Sequence, residues 1–128
     1  MRVLLDTHAL LWWVQDDPQL SSKARATIAS FRNEIYVSAA SAWEIATKVR
    51  IGKLPGAEAF AATFSERLHQ LSLRELPITV HHAHRAGLLP GGHKDPFDRM
   101  LIAQALAEDL PLISNETQFD QYMIKRIW

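Results

Sequence analysis

Hydrophobic positions along the chain fall into short continuous runs that alternate with helical spacings. Arg2–Leu5 is an apolar run with a sharp stop at Asp6, the pattern of a buried strand. Thr7–Val14 reads as a helix, and Ser21–Phe31 as a second helix after the Asp16-Asp17-Pro18 turn. Glu34–Ser38 (EIYVS) is rich in β-branched and aromatic residues and reads as a strand. Ala39–Arg50 is helical, with Trp43, Ile45 and Ala46 among its apolar positions and Gly52 just past its end. The spacing of Phe60, Phe64 and Leu68 predicts one helix over Ala57–Leu71, and Leu73–Leu76 is a short strand stopped by Pro77. Thr79–Ala86 reads as helix and Leu89–His93 as a Gly/Pro loop. Asp95-Pro96 opens a strong helix over Pro96–Glu108, with Met100, Ile102, Ala103 and Leu106 as its apolar positions. Pro111–Ser114 is a strand, Glu116–Tyr122 a helical turn, and Ile124–Trp128 a final edge strand. Strands alternating with helices predict an α/β fold, with a mostly parallel twisted sheet of about four to five strands and right-handed crossovers.

Composition narrows the class. A chain of 128 residues fits one domain that folds without staples. The absence of cysteine excludes thiolate metal sites, disulfides and Cys nucleophiles, and is consistent with a reducing compartment. No apolar run approaches the roughly 18 residues needed to span a membrane. The N-terminus, interrupted by Asp6, Thr7 and His8, reads as mature sequence rather than a signal peptide. Fourteen basic residues against fourteen acidic ones argue against a protein that coats nucleic acid, while leaving room for an enzyme that engages a few phosphates. Lys48, Arg50 and Lys53 lie in an acid-free stretch, Ile45–Ala57, which suits RNA phosphates or a solvated helix end equally well.

The acids are where chemistry concentrates. In a parallel α/β sheet, ligands bind beyond the carboxyl ends of the strands. Asp6 ends the first strand, Glu44 stands in the helix after the second, Asp95 and Asp98 open the Pro96 helix, and Glu116 follows the PLIS strand. Such a gathering is costly through charge repulsion unless a divalent cation joins it. Magnesium, an oxygen-seeking ion that takes one or two carboxylates and keeps several waters, fits the donor set and suits phosphodiester hydrolysis. Each acid also has a structural alternative. Asp6 and Asp95 suit helix N-caps, Asp98 suits the first turn, and Glu44 could pair with Lys48 one turn on. His81, His82 and His84 lack the spacing of a zinc motif and read as surface or loop residues, while His8 stands close to Asp6. Trp12, Trp13 and Trp43 read as core or interface aromatics.

Four segments together carry a resemblance: LLDTHALLWW at 4–13, VSAASAWEIATKVRIGKL at 37–54, HKDPFDRMLIAQALAEDLPLIS at 93–114, and FDQY at 119–122. In these the chain resembles the PIN-domain ribonucleases, and among them the VapC-type toxins of bacterial toxin–antitoxin pairs, over 1–128 as a single domain. The resemblance implies a PIN-like three-layer sandwich. It implies Asp6, Glu44, Asp98 and Glu116 as catalytic acids, Asp6 and Asp98 as the metal ligands, and Asp95, Thr7 and Ser114 as accessory groups. Glu44 would orient or deprotonate the attacking water. Glu116 stands where that family usually has Asp, and its extra methylene displaces the carboxylate. The resemblance further implies Mg²⁺ (or Mn²⁺) as cofactor, RNA as substrate, a homodimer, a cognate antitoxin through which alone the protein would meet DNA, and a cytoplasmic location. Two rivals compete. VLLDTH could present a nucleophilic Asp6 as in haloacid-dehalogenase-type phosphotransferases, but His8 replaces the second Asp that pattern wants. The chain could also be a non-catalytic partner in a regulatory complex, although it has no helix-turn-helix signature.

Overall fold

The computed structural model describes residues 1–128. β1 (Arg2–Leu5), β2 (Glu34–Ser38), β3 (Arg74–Leu76), β4 (Leu112–Ile113) and β5 (Arg126–Ile127) form one sheet in the order β3-β2-β1-β4-β5. Every pairing is parallel, so β1 is central, with Leu5 beside Val37 on one side and Ile113 on the other. α1 (Thr7–Val14), α2 (Ser22–Ala29), α3 (Ala39–Arg50), α4 (Glu58–Ala62), α5 (Phe64–Gln70), α6 (Val80–Leu88) and α7 (Pro96–Glu108) cover its faces.

Strand alternation divides the core in two. Val3 and Leu5 point to one face, where they join Leu10 of α1, Ile28 of α2, Ile45 of α3 and Leu68 of α5. Leu4 points the other way, towards Leu101, Ile102 and Ala105 of α7 and towards Phe119. Burial on both faces is why these strands are continuous apolar runs rather than alternating ones. The outcome is the expected three-layer α/β sandwich, with five strands.

Some boundaries differ from expectation. The single helix expected over 57–71 is two, because Thr63 leaves helical geometry at φ −125° and ψ 34°. The Phe60 and Phe64 rings stack across the break at 4.8 Å, so the apolar spacing is satisfied without a continuous helix. Ser21 and Thr79 are N-caps rather than first helical residues, and β3, β4 and β5 are shorter than the apolar runs that contain them. His82 is a correction: it is buried, not a surface or loop residue. Its Nδ1 accepts the Thr79 amide, the Thr79 hydroxyl accepts the His82 amide, and Nε2 lies 2.9 Å from Glu108. Imidazole here does the work that Glu or Gln does in an ordinary capping box. Trp43 is 64% exposed and therefore outside the core, braced edge-on against Phe97.

Candidate active site

Strand order reverses in sequence at β1, whose neighbours are β2 and β4, and the crevice beyond the carboxyl end of such a strand is the natural ligand site of an open parallel sheet. Asp6 leaves β1 there. Ser114 and Glu116 leave β4 there. α7 precedes β4 and must return across the sheet, so its N-terminus, with Asp95 and Asp98, is brought to the same edge. Gly92, His93, Lys94, Asp95, Asp98, Glu116, Gln118 and Gln121 line a cleft of about 710 Å³ with no hydrophobic wall.

Local structure fixes the direction of each acid. Asp6 caps α1, its Oδ1 accepting the Ala9 amide at 2.7 Å, and the side chain is almost wholly buried. Asp95 caps α7, its Oδ1 accepting the amides of Phe97 and Asp98. Both caps were legible from sequence. Asp98 Oδ2 lies 2.9 Å from His93 Nε2. Asp98 Oδ1 makes no hydrogen bond, while Asp6 is held by the Ala9 amide and by the Ser114 hydroxyl.

Electrostatics distinguishes these two. Burial pushes the Asp6 carboxyl from 3.8 up to about 6, with Glu116 adding to the rise and the Ser114 hydroxyl, the Ala9 amide and His8 opposing it. Burial likewise lifts Asp98 from 3.8 to about 6, helped by the charges of Asp95 and Glu116 and opposed by His93. Glu116 bears on both, it lines the cleft with Asp95 and Asp98, and its Oε1 lies 3.9 Å from His8 Nδ1.

Glu44 stands apart. It is buried, its Oε1 accepts the Thr7 hydroxyl at 2.6 Å, and its Oε2 accepts Lys48 Nζ at 2.6 Å. Thr7 also shares a hydrogen bond with Ser41. For Lys48, burial opposes the charged form, but Glu44, Asp95 and Asp98 outweigh it and raise its pKa. Lys48 is thereby tied to an acid. Arg50 and Lys53 are exposed and make no ion pair, and Lys94, which the sequence reading did not single out, lies in the cleft itself. Ser114 is buried, with its hydroxyl accepting the Glu116 amide and its carbonyl accepting from Arg126.

No three Asp, Glu or His side chains converge closely enough to cage an ion by themselves. A magnesium-like ion does not need such a cage, since one or two carboxylates and several waters complete its shell. Asp6, buried, and Asp98, half-buried, both with raised pKa, are acids of the kind that requirement calls for.

The fold and this acidic edge define a class of parallel α/β domain with carboxylates at the carboxyl edge of its sheet. The PIN-domain family model matches residues 3–125, and the chain belongs to that family. It is 42% identical over 73 residues to Ribonuclease VapC16 of Mycobacterium tuberculosis, a match covering 54% of this chain and 50% of that protein. The chain thus spans about half the length of this curated relative. Its fold is similar to that of VapBC2 from Rickettsia felis bound to a promoter DNA fragment, with 16% identity, all of both chains covered and a TM-score of 0.73. It is also similar to a toxin–antitoxin complex from Klebsiella pneumoniae, with 16% identity over 98% of this chain and 96% of the other and a TM-score of 0.69.

Proposed function

We propose that the protein is a divalent-metal-dependent endoribonuclease and the toxin of a toxin–antitoxin pair. The observation that carries this is the pair Asp6 and Asp98, both lifted to about 6 at one edge of the sheet beside Glu116. Carboxylates whose charged form is disfavoured by burial are stabilised by a bound cation. Asp6 and Asp98 would hold Mg²⁺ or Mn²⁺. The bound ion would supply charge neutralisation at the scissile phosphate and a lowered pKa for the attacking water.

The chain's own residues do the rest. The Asp6 and Asp95 caps aim carboxylates from rigid helix starts. Glu44 fixes Lys48 and Thr7, and through Lys48 keeps one positive charge near Asp95 and Asp98. Its two oxygens are committed, so its part is orientation rather than proton abstraction. Glu116 reaches the site from the loop after β4, and Lys94, Arg50 and Lys53 supply exposed cations for flanking phosphates. Residues 1–128 form a single domain in this reading, which acts in the cytoplasm as a homodimer bound by a cognate antitoxin that supplies any DNA contact. The structural relatives from Rickettsia felis and Klebsiella pneumoniae support the antitoxin partner. No helix is long and apolar enough to cross a membrane. Membership of the PIN family disfavours the phosphotransferase rival.

The test is cleavage of an unstructured RNA by the purified protein with Mg²⁺ or Mn²⁺. Asp6→Asn and Asp98→Asn should each lower the rate on the order of 100-fold or more, and chelator should abolish it. Full activity in both variants would refute the reading and favour the non-catalytic rival.

A further inference from the structure

His93 belongs to no catalytic set named above, yet it makes the only side-chain hydrogen bond to Asp98. Its Nε2 is 2.9 Å from Asp98 Oδ2, and the two side chains are 10% and 18% exposed. The imidazole lies against the Phe119 ring at 5.9 Å. The loop that carries it contains Pro90, Gly91 and Gly92, so unaided it would be the least constrained backbone near the site.

That loop is clamped from two sides. Arg99, the residue after Asp98, turns its guanidinium back onto the loop. Its Nη1 donates to the His93 carbonyl at 2.9 Å, its Nη2 to the Leu89 carbonyl at 2.6 Å and the Ala86 carbonyl at 2.9 Å, and its Nε to Ala86 at 3.1 Å. On the other side Gly91 sits at φ +101°, where an added Cβ would meet the Tyr122 hydroxyl at 3.1 Å. A cation in the first turn of α7 is unfavourable to the helix dipole, so Arg99 is placed there against local preference, and the carbonyls it gathers explain its position.

We propose that His93, held by Arg99, is a positioning residue that aims Asp98. By engaging Oδ2, the imidazole fixes the carboxylate's rotation and leaves Oδ1 as the one oxygen presented to a cation. Hydrogen bonds to ligating carboxylates commonly govern metal affinity in this way. The inference rests on the metal-site reading above, and it assigns to His93 and Arg99 a task that burial or packing alone would not require.

Mn²⁺ binding to the full chain, measured by calorimetry or electron paramagnetic resonance without RNA, tests it. Glutamine at 93 carries an amide N–H to about the reach of the imidazole Nε2, whereas asparagine falls short. H93Q should bind Mn²⁺ within about threefold of the wild type, and H93N should bind about 10- to 100-fold more weakly. R99K should also weaken binding, because an ammonium cannot fork across three carbonyls in fixed directions. Thermal melts of each variant separate lost binding from lost fold. If H93N does not fold, R99K carries the test, since it keeps His93 but releases its loop. Wild-type affinity in H93N or in R99K, or H93Q as weak as H93N, would overturn the proposal while leaving the metal site standing. No Mn²⁺ binding by the wild type would overturn both.

Discussion

Asp6→Asn should make the metal-free protein more stable while destroying its proposed activity. In the native state Asp6 is 3% exposed and its carboxyl is lifted from 3.8 to about 6. An acid with a raised native pKa binds protons more readily when folded than when unfolded. Its favourable contribution is therefore present at low pH and is lost as pH rises from about 4 through about 6. The interval from 3.8 to about 6 corresponds to about 3 kcal/mol between the ends of that range. Asparagine removes the charge and keeps the cap, since its side-chain oxygen can still accept the Ala9 amide and it is as good an N-cap as Asp. Urea denaturation of both proteins in chelator, from about pH 4 to pH 8, checks this. The variant should be the more stable by about 3 kcal/mol at the alkaline end, and the gap should close towards the acid end. Mg²⁺ should then stabilise the wild type and leave the variant unchanged, because only a ligand that binds the native state shifts the equilibrium. A gap that stays constant across the pH range would refute the claim that burial raises the Asp6 pKa in the folded state.

Two other perturbations probe the elements that hold the site. Lys48→Met leaves the Glu44 carboxylate buried without its cation and should cost about 2 kcal/mol, below the usual figure for a buried pair because Lys48 is a third exposed. The double variant with Glu44→Gln should recover part of that loss in urea melts, and no recovery would mean that the pair is not coupled. Ser38→Ala removes a hydroxyl that accepts the Ala40 amide at 2.9 Å and donates to Gln104 Oε1 at 2.5 Å. It should cost about 2 kcal/mol, a cap plus a stranded buried amide oxygen, and a loss below about 0.5 kcal/mol would show that the Ser38–Gln104 bond does not link α3 to α7.

The parts legible in the sequence are those with local causes. β1, β2, α1, α3 and α7 have the expected bounds because apolar runs and the caps at Asp6 and Asp95 mark them directly. The break at Thr63 was not legible, because Phe60 and Phe64 keep helical spacing whether or not the backbone between them does. His82 was misread because its burial depends on Glu108 and Gln104, far along the chain, and because histidine rarely closes a capping box. At the site, the Lys48 partner of Glu44 follows from i, i+4 spacing, but Thr7, 37 residues away, could be found only in three dimensions. The His93–Asp98 bond was hidden for a similar reason, since the loop is shaped by Arg99 reaching back to Ala86 and Leu89. One sequence signal did point there: a cation placed one residue after an acid at a helix start calls for acceptors nearby.

The acids differ in how much of their bonding capacity the fold has already used, and this ranks them more sharply than position does. Glu44 has both oxygens engaged by Thr7 and Lys48, so the fold has taken it as a structural anchor. Asp98 has one oxygen bound by His93 and one without a hydrogen bond, and Asp6 is held by the Ala9 amide and the Ser114 hydroxyl. A carboxylate anchored at one oxygen is pointed without being satisfied, which is what a ligand for a partly hydrated ion requires. Capping and ligation are therefore compatible: the helix start that explains Asp6 structurally is also what aims it. The cost of burial appears in both raised pKa values, against opposing contributions from Ser114 and Ala9 at Asp6 and from His93 at Asp98. Glu116 enters both as a smaller cause than burial, so its substitution by Gln should lower both pKa values slightly even if its own oxygens never touch an ion. Two-dimensional NMR titration of the Asp6 and Asp98 carboxyls in Glu116→Gln would read this directly. Unchanged values would place Glu116 outside the site, and with it the proposal that a longer side chain can serve at that position.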